Sequence, residues 1–407
     1  MKRELSLEMV TLALMFFITF TEHLLIFAYP PMILEIMSEM KLTYAQAGFI
    51  FSACIMMLIL LRIPWGLFCD WAGCGDALRL ATILMGLFGF LRGAAPNYAG
   101  LLVFQLLCGL GIGGVMPSMP KLASTRFSRR RLGLVTSVYT SGFALGSIAG
   151  LGLTPYLLAL TGEWRAVFYV YGVWALTVAL AWWVISRKAA ARDGKARQPR
   201  TTFHVDEFLS ILRMKEVWIL VAISSCALGS YDALSIWLPT MLELRGFPPT
   251  TAGQVASTIS LGFLAAGACV GVVSDRLGRR RPLISLLSLL GGFVILTLNG
   301  GSGLVLWFSA FLTGFFTMGV VTLVWTVLAA LPSGGEMAGS MAGIVCSLGN
   351  LGSFILPALM GYVRDVTGSF SVAVASVAAL AWMPTVLAWM LKETGVRGNL
   401  KRGFEGG

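Results

Sequence analysis

Ionisable side chains are scarce in the long apolar runs of this 407-residue chain, and the few found there are spaced for proton and anion chemistry. Thr21-Glu22-His23 lies midway along the first run, with Glu22 fourteen residues past Glu8, or about 20 Å of helix. Thr11 shares its face, eleven residues or about three turns earlier. Asp232, in Ser230-Tyr231-Asp232, stands seven residues before Pro239, as His23 stands seven before Pro30. Arg62 stands eight residues, about 12 Å, before Asp70. Charged groups inside a bilayer are costly and tend to face a water-filled path. A buried carboxylate that pairs and unpairs with an arginine binds and releases a proton as it does so. Glu22 and Asp232 are therefore the expected proton-coupling carboxylates, with His23 as a relay because imidazole titrates nearest neutrality. Arg62 is the expected handle for an anion. Gln105, Asn350, Tyr231 and Trp237 are further candidates to contact a substrate. Plainer roles stay open here: a fixed ion pair of Arg62 with Glu22 or Asp232, interhelical bonding by Gln105 and Asn350, and packing by the aromatics.

The elements that must position these groups are membrane helices. Hydrophobic residues make up 57% of the chain, only 12% is charged, and mean hydropathy is +0.82. Soluble proteins are about a quarter charged, so a water-soluble globule and a disordered chain are both excluded. An outer-membrane barrel needs ~10-residue alternating segments, which the unbroken apolar runs do not show. Twelve spans are expected, at 9–37, 44–69, 77–95, 98–119, 133–160, 165–186, 216–240, 250–273, 282–299, 303–331, 337–362 and 370–391. The N-terminal run has no small-residue cleavage site and is expected to be retained as the first span. The resulting fold is all-α and integral to the membrane, with six-helix bundles over 1–186 and 216–393. A linker over 187–215 ends in a short interfacial helix from about 206, and a tail follows over 394–407.

The +11 net charge does not point to nucleic acid, because position explains it. With both termini cytoplasmic, 24 of the 30 Lys and Arg fall on the cytoplasmic side; Lys41, Arg92, Arg165, Arg245 and Arg364 fall on the other, and Arg62 lies within a span. Seven cysteines, mostly in apolar segments and without metal-ligand spacing, read as buried reduced thiols. No cofactor motif and no Walker loop is present. Two distant histidines offer no nucleophile–base pair, so an enzyme is not expected. The expected partners are the bilayer, a small solute and protons, with the chain a monomer in a prokaryotic inner membrane. A non-transporting receptor would keep the helices but show no flux.

The two halves repeat. Gly66-x-x-x-Asp70 recurs as Gly271-x-x-x-Asp275, Pro30 as Pro239, and Gly133 and Gly146 as Gly339 and Gly352, at offsets of 205 to 209. Such a parallel repeat implies two similarly oriented bundles with a cavity between them. The segment Gly271-Val-Val-Ser-Asp275-Arg276-Leu-Gly278-Arg279-Arg280-Arg281 resembles the loop signature of the major facilitator superfamily. The first copy keeps Gly66, Asp70 and Gly73 but has Trp71 and Cys74-Gly75 where bases stand in the family. Gln105-x-x-x-Gly109-x-Gly111-x-Gly113 is similar to a second motif of that superfamily, with Gln105 in the arginine position. Gly142, Gly146 and Gly150 with Pro155 resemble a third. The resemblance implies secondary transport by alternating access, with Asp70, Asp275, Arg276 and Arg279 acting as a conformational latch. A narrower resemblance, to nitrate/nitrite porters, rests on Arg62-Ile-Pro64 and on Ser347-Leu-Gly349-Asn350-Leu-Gly352-Ser353. It implies that Arg62 grips an anion, although Gly267 stands where those porters carry a second arginine. Within the transporter reading, a small inorganic or organic anion competes with a cationic or amphipathic drug as cargo.

Overall fold

The computed structural model describes residues 2–193, 210–331 and 337–394, and the regular elements among them are helices. Eleven helices are long and apolar enough to cross a membrane, and a twelfth apolar helix, Arg281–Thr297, has 17 residues. This is the twelve-helix membrane fold expected from the apolar runs.

The first span runs as α1 (Lys2–Phe27), a 3₁₀ turn (Pro30–Met32) and α2 (Ile33–Met40). The break falls where Pro30 and Pro31 supply no amide hydrogens to a helical ladder. Helix α3 (Tyr44–Ala72) accommodates Pro64, and α4 (Cys74–Leu91) starts after Gly73, whose φ of +92° favours glycine. The fourth span is broken at Gly113-Gly114 into α5 (Tyr98–Ile112) and α6 (Val115–Arg126), so it runs seven residues beyond the expected end at 119. Next come α7 (Leu132–Thr161), closed by left-handed Gly162, and α8 (Trp164–Asp193). The second half comprises α9 (Lys215–Leu244), α10 (Pro249–Leu277), α11 (Arg281–Thr297), α12 (Gly303–Ala329), α13 (Met337–Leu348), α14 (Leu351–Thr367) and α15 (Phe370–Leu387). Most of the linker, with residues 206–209 of the expected interfacial helix, lies outside the described residues, as does the tail beyond 394.

The chain forms two compact units. Unit 1 contains residues 1–42, 49–202 and 248–254; unit 2 contains 43–48, 203–247 and 255–407. In unit 1, α1 packs along α7, and Gly142, Gly146 and Gly150 lie against the Phe16–Thr19, Phe20 and Phe27 backbone with no room for a Cβ. In unit 2, α9 packs along α14, where Gly229 and Gly352 meet backbone to backbone. Gly352 is the repeat partner of Gly146, and Gly229 follows Phe20 by 209 residues, the offset of the two prolines. The same crossing is therefore built twice, by small residues that let helices approach closely. Gly146→Val pushes a branched side chain into the Phe20 carbonyl and should cost about 1–3 kcal/mol, as overpacking does. Thermal unfolding in detergent checks it: an unchanged midpoint would contradict the close crossing.

Candidate functional site

In unit 1 the turn of α1 that bears Glu22 is pinned from two sides. Thr19 Oγ1 donates to the Tyr139 carbonyl of α7 at 2.6 Å, and Thr21 Oγ1 accepts from Trp174 Nε1 of α8 at 3.0 Å. Phe17 and Phe20 both set ring edges against Trp174. The orientation of the next residue follows. Glu22 is 2% exposed, and its Oε2 has no hydrogen-bond partner. His23 is half-buried, its ring 4.7 Å from that of Phe143 and 5.8 Å from that of Phe27, and its Nδ1 is unpartnered. Arg62, half-buried on α3, lies within coulombic range of both Glu22 and His23. Its stretch of α3 is held by Trp65, whose Nε1 donates to the Leu110 carbonyl of α5 at 2.8 Å. Glu22 Oε2 and His23 Nδ1 are among the sixteen buried side-chain atoms without a hydrogen-bond partner among the described residues, and both side chains feel the charge of Arg62.

Gln105 is 1% exposed and accepts from Arg92 Nη1 at 3.1 Å. The same Nη1 donates to the Leu25 carbonyl at 2.9 Å, Arg92 Nε to Gly89 O at 3.3 Å, and the guanidinium lies 4.5 Å from the Phe168 ring centroid. Gln105 thus binds α1, α4 and α5 together through Arg92. The charge count placed Arg92 on the side opposite the cytoplasm; the structure adds that its side chain is 1% exposed, enclosed within unit 1. The 3₁₀ turn Arg92–Ala94 folds it back into the unit, which charge counting does not detect. A usable signal was present: the family arginine missing at Gln105 leaves an amide that needs a buried partner.

In unit 2, Asp232 is 9% exposed and faces the Ser353 side chain of α14. Tyr231 OH and Ser260 Oγ share a hydrogen bond of 2.9 Å, and the ring lies edge-on to Phe263. Trp237 is fully buried, with Nε1 donating to the Pro357 carbonyl at 2.9 Å. Asn350 sits at the break between α13 and α14, and its Nδ2 donates to Cys346 O at 2.5 Å. Tyr231, Trp237 and Asn350 therefore each commit a polar atom inside unit 2: Tyr231 ties α9 to α10, Trp237 ties α9 to α14, and Asn350 bonds back to α13 at the helix break.

The residues expected to form a latch differ in their surroundings between the two units. Asp70 accepts from Lys121 Nζ at 2.5 Å, and the same ammonium donates to Gly66 O at 3.3 Å, so the incomplete first signature holds an ion pair. Asp275, Arg276 and Arg279 are exposed. What is tied down beside them is Arg280-Arg281. Their backbone N–H groups donate to the Glu393 carboxylate at 2.9 and 3.3 Å, and Arg280 Nη1 donates to Thr394 Oγ1 at 3.0 Å. Glu393 caps the N-terminus of α11, where a carboxylate is favoured. It was not foreseen, because its partner lies 112 residues away. Glu393→Ala should destabilise this end by about 1 kcal/mol and accelerate hydrogen exchange across 280–284; unchanged exchange would rule out the cap.

Comparison with known proteins bears on the family and the fold. The family model described as Major Facilitator Superfamily matches residues 15–357. The chain is 26% identical to the 3-(3-hydroxy-phenyl)propionate transporter of Escherichia coli, with 90% of each chain covered. It is 25% identical to the gentisate transporter of Corynebacterium glutamicum, covering 85% of this chain and 79% of that one. It is also 24% identical to a probable galactarate/D-glucarate transporter of Bacillus subtilis, covering 88% and 85%. A solved bacterial homologue of the human lysosomal transporter Spinster, inward-facing and occupied, shares the fold with a TM-score of 0.72 at 14% identity, covering 95% of this chain and 97% of that one. The chain is accordingly a multi-pass membrane transporter rather than an enzyme, and it belongs to the major facilitator superfamily.

Proposed function

We propose that this protein is a proton-coupled secondary transporter of a small organic anion, working by alternating access in a prokaryotic inner membrane with both termini cytoplasmic. Arg62 is the handle for the anion, Glu22 and Asp232 couple its passage to protons, and His23 assists at Glu22. The observation that carries this reading is the half-buried guanidinium of Arg62 within coulombic range of the Glu22 carboxylate and the His23 imidazole, each of which keeps a polar atom without a hydrogen-bond partner. An arginine fork grips a carboxylate through two parallel bonds. Similar proteins bear the names of transporters, some of them probable, for hydroxyphenylpropionate, gentisate, galactarate or glucarate, and sulfoacetate, which are all organic anions. Gly267, where nitrate porters have a second arginine, favours a carboxylate over nitrate. The latch follows the same logic: Asp70–Lys121 fastens unit 1 in one conformer, and the exposed Asp275, Arg276 and Arg279 engage in another.

A thermal-shift panel of hydroxyaromatic acids, aldarates, sulfoacetate, nitrate and organic cations tests the substrate class, because a ligand that binds the folded state stabilises it. An organic acid should raise the unfolding midpoint, and a pH gradient should drive its uptake into liposomes. Stabilisation by cations alone would favour the exporter reading, in which Glu22 and Asp232 themselves hold the cargo.

A further inference from the structure

The packed seam of α4 and α8 in unit 1 carries a cationic group that the transport reading does not use. Trp183, half-buried on α8, is met by two guanidinia. Arg187, one turn further along α8, lies 4.7 Å from a ring centroid of the indole, and Arg79 of α4 lies 5.7 Å from one. Both distances fall within the ~6 Å over which a cation is drawn to an aromatic face. The group stands at the rim of two spans, near the start of Cys74–Ala94 and the end of Trp164–Lys188. Arg79 pairs with Asp76 on its own helix, and its Nε donates to the Gly75 carbonyl at 3.4 Å. Arg187 is exposed and has no carboxylate partner among the described residues. Two cations therefore share one acid, and positive charge is left over. Towards the middle of the same spans the surface is apolar. Leu180, Val184 and Arg187 are all exposed and stand at helical spacing on one face of α8, and Leu80, next to Arg79, is exposed on α4.

We propose that this seam binds one anionic phospholipid, its phosphate on Arg187 and Arg79 and an acyl chain along Leu180 and Val184. Charge complementarity selects the headgroup. A guanidinium fork matches the oxygens of a phosphate, and basic pockets between membrane helices take anionic headgroups. A zwitterionic lipid carries its own cation, which offsets the attraction. The indole suits the same depth, because tryptophan favours the level of the headgroups. The apolar stripe selects a lipid over free phosphate, which would use the arginines and leave Leu180 and Val184 without a partner. Asp76 already occupies Arg79, so Arg187 is the stronger of the two handles.

The test counts bound lipids and does not depend on the substrate assignment. Purified full-length protein, stripped of lipid in detergent, is titrated with dioleoyl phosphatidylglycerol or dioleoyl phosphatidylcholine and read by native mass spectrometry. Wild type should hold one phosphatidylglycerol at concentrations where phosphatidylcholine is lost, and inorganic phosphate should not displace it. Arg79→Gln/Arg187→Gln should weaken that binding about 30-fold, as for the loss of two cations facing an anionic lipid surface. Arg187→Gln alone, at an exposed position, should fold normally and weaken it about fivefold. Arg129→Gln/Arg130→Gln removes two exposed charges from the turn before α7 and should bind as wild type. Equal retention of the two lipids, an equal loss in the Arg129/Arg130 control, unweakened binding in both Arg187 variants, or displacement by inorganic phosphate would overturn the proposal.

Discussion

Arg62→Ala should weaken binding of the stabilising acid by about 100-fold or more, since each hydrogen bond to a charged group contributes about 1.5–3 kcal/mol. The side chain is half-buried on α3, and Trp65, held by Leu110 O, fixes its stretch of helix independently. The variant should therefore fold. Arg62→Lys should recover part of the affinity, because an ammonium keeps the charge but loses the planar fork. Glu22→Gln and Asp232→Asn separate cargo from coupling. Each should leave binding of the acid measurable while removing the pH dependence of uptake, because a carboxamide does not titrate between its charged and neutral forms as a carboxyl group does. Isothermal titration gives the affinity, and liposome uptake under an imposed pH gradient gives the coupling. Full affinity in Arg62→Ala would transfer the handle elsewhere, and full pH-dependent flux in the double neutral variant would remove the proton assignment.

Arg92→Ala is expected to be the most destabilising single change, for structural rather than transport reasons. It strips bonds from Leu25 O and Gln105 Oε1, removes the cation over Phe168, and empties a fully buried volume. Orphaned buried acceptors and a cavity together should cost about 3–5 kcal/mol. Thermal unfolding monitored by size-exclusion chromatography in detergent reads this out. Gln105→Leu should cost less, and the double variant should fall short of the sum of the two by about 1 kcal/mol, as expected for residues in one network. Additive losses would mean that Arg92 and Gln105 act separately. A wild-type midpoint in Arg92→Ala would show that the guanidinium is not the element joining α1, α4 and α5.

The helices and their repeat were legible without coordinates because the bilayer is a strict solvent: backbone groups in hydrocarbon must be satisfied within a span. Long apolar runs therefore had to be helices, and the offset linking Pro30 with Pro239 had to reappear as equivalent crossings, as Gly146 and Gly352 now show. The breaks at Pro30-Pro31, Gly113-Gly114 and Gly349-Asn350 shifted element bounds without changing the architecture. Glu22, Arg62 and Asp232 stood out by charge in an apolar setting, a property of composition along the chain. What tertiary structure alone decided was which polar atoms meet. Arg92 looked like a boundary charge until a 3₁₀ turn carried it to Gln105, Asp70 found its partner 51 residues away on α6, and Glu393 capped a helix more than a hundred residues upstream. Hydropathy is summed along a segment and survives as a sequence signal. A hydrogen bond needs two atoms within about 3 Å, and only the folded chain sets that distance.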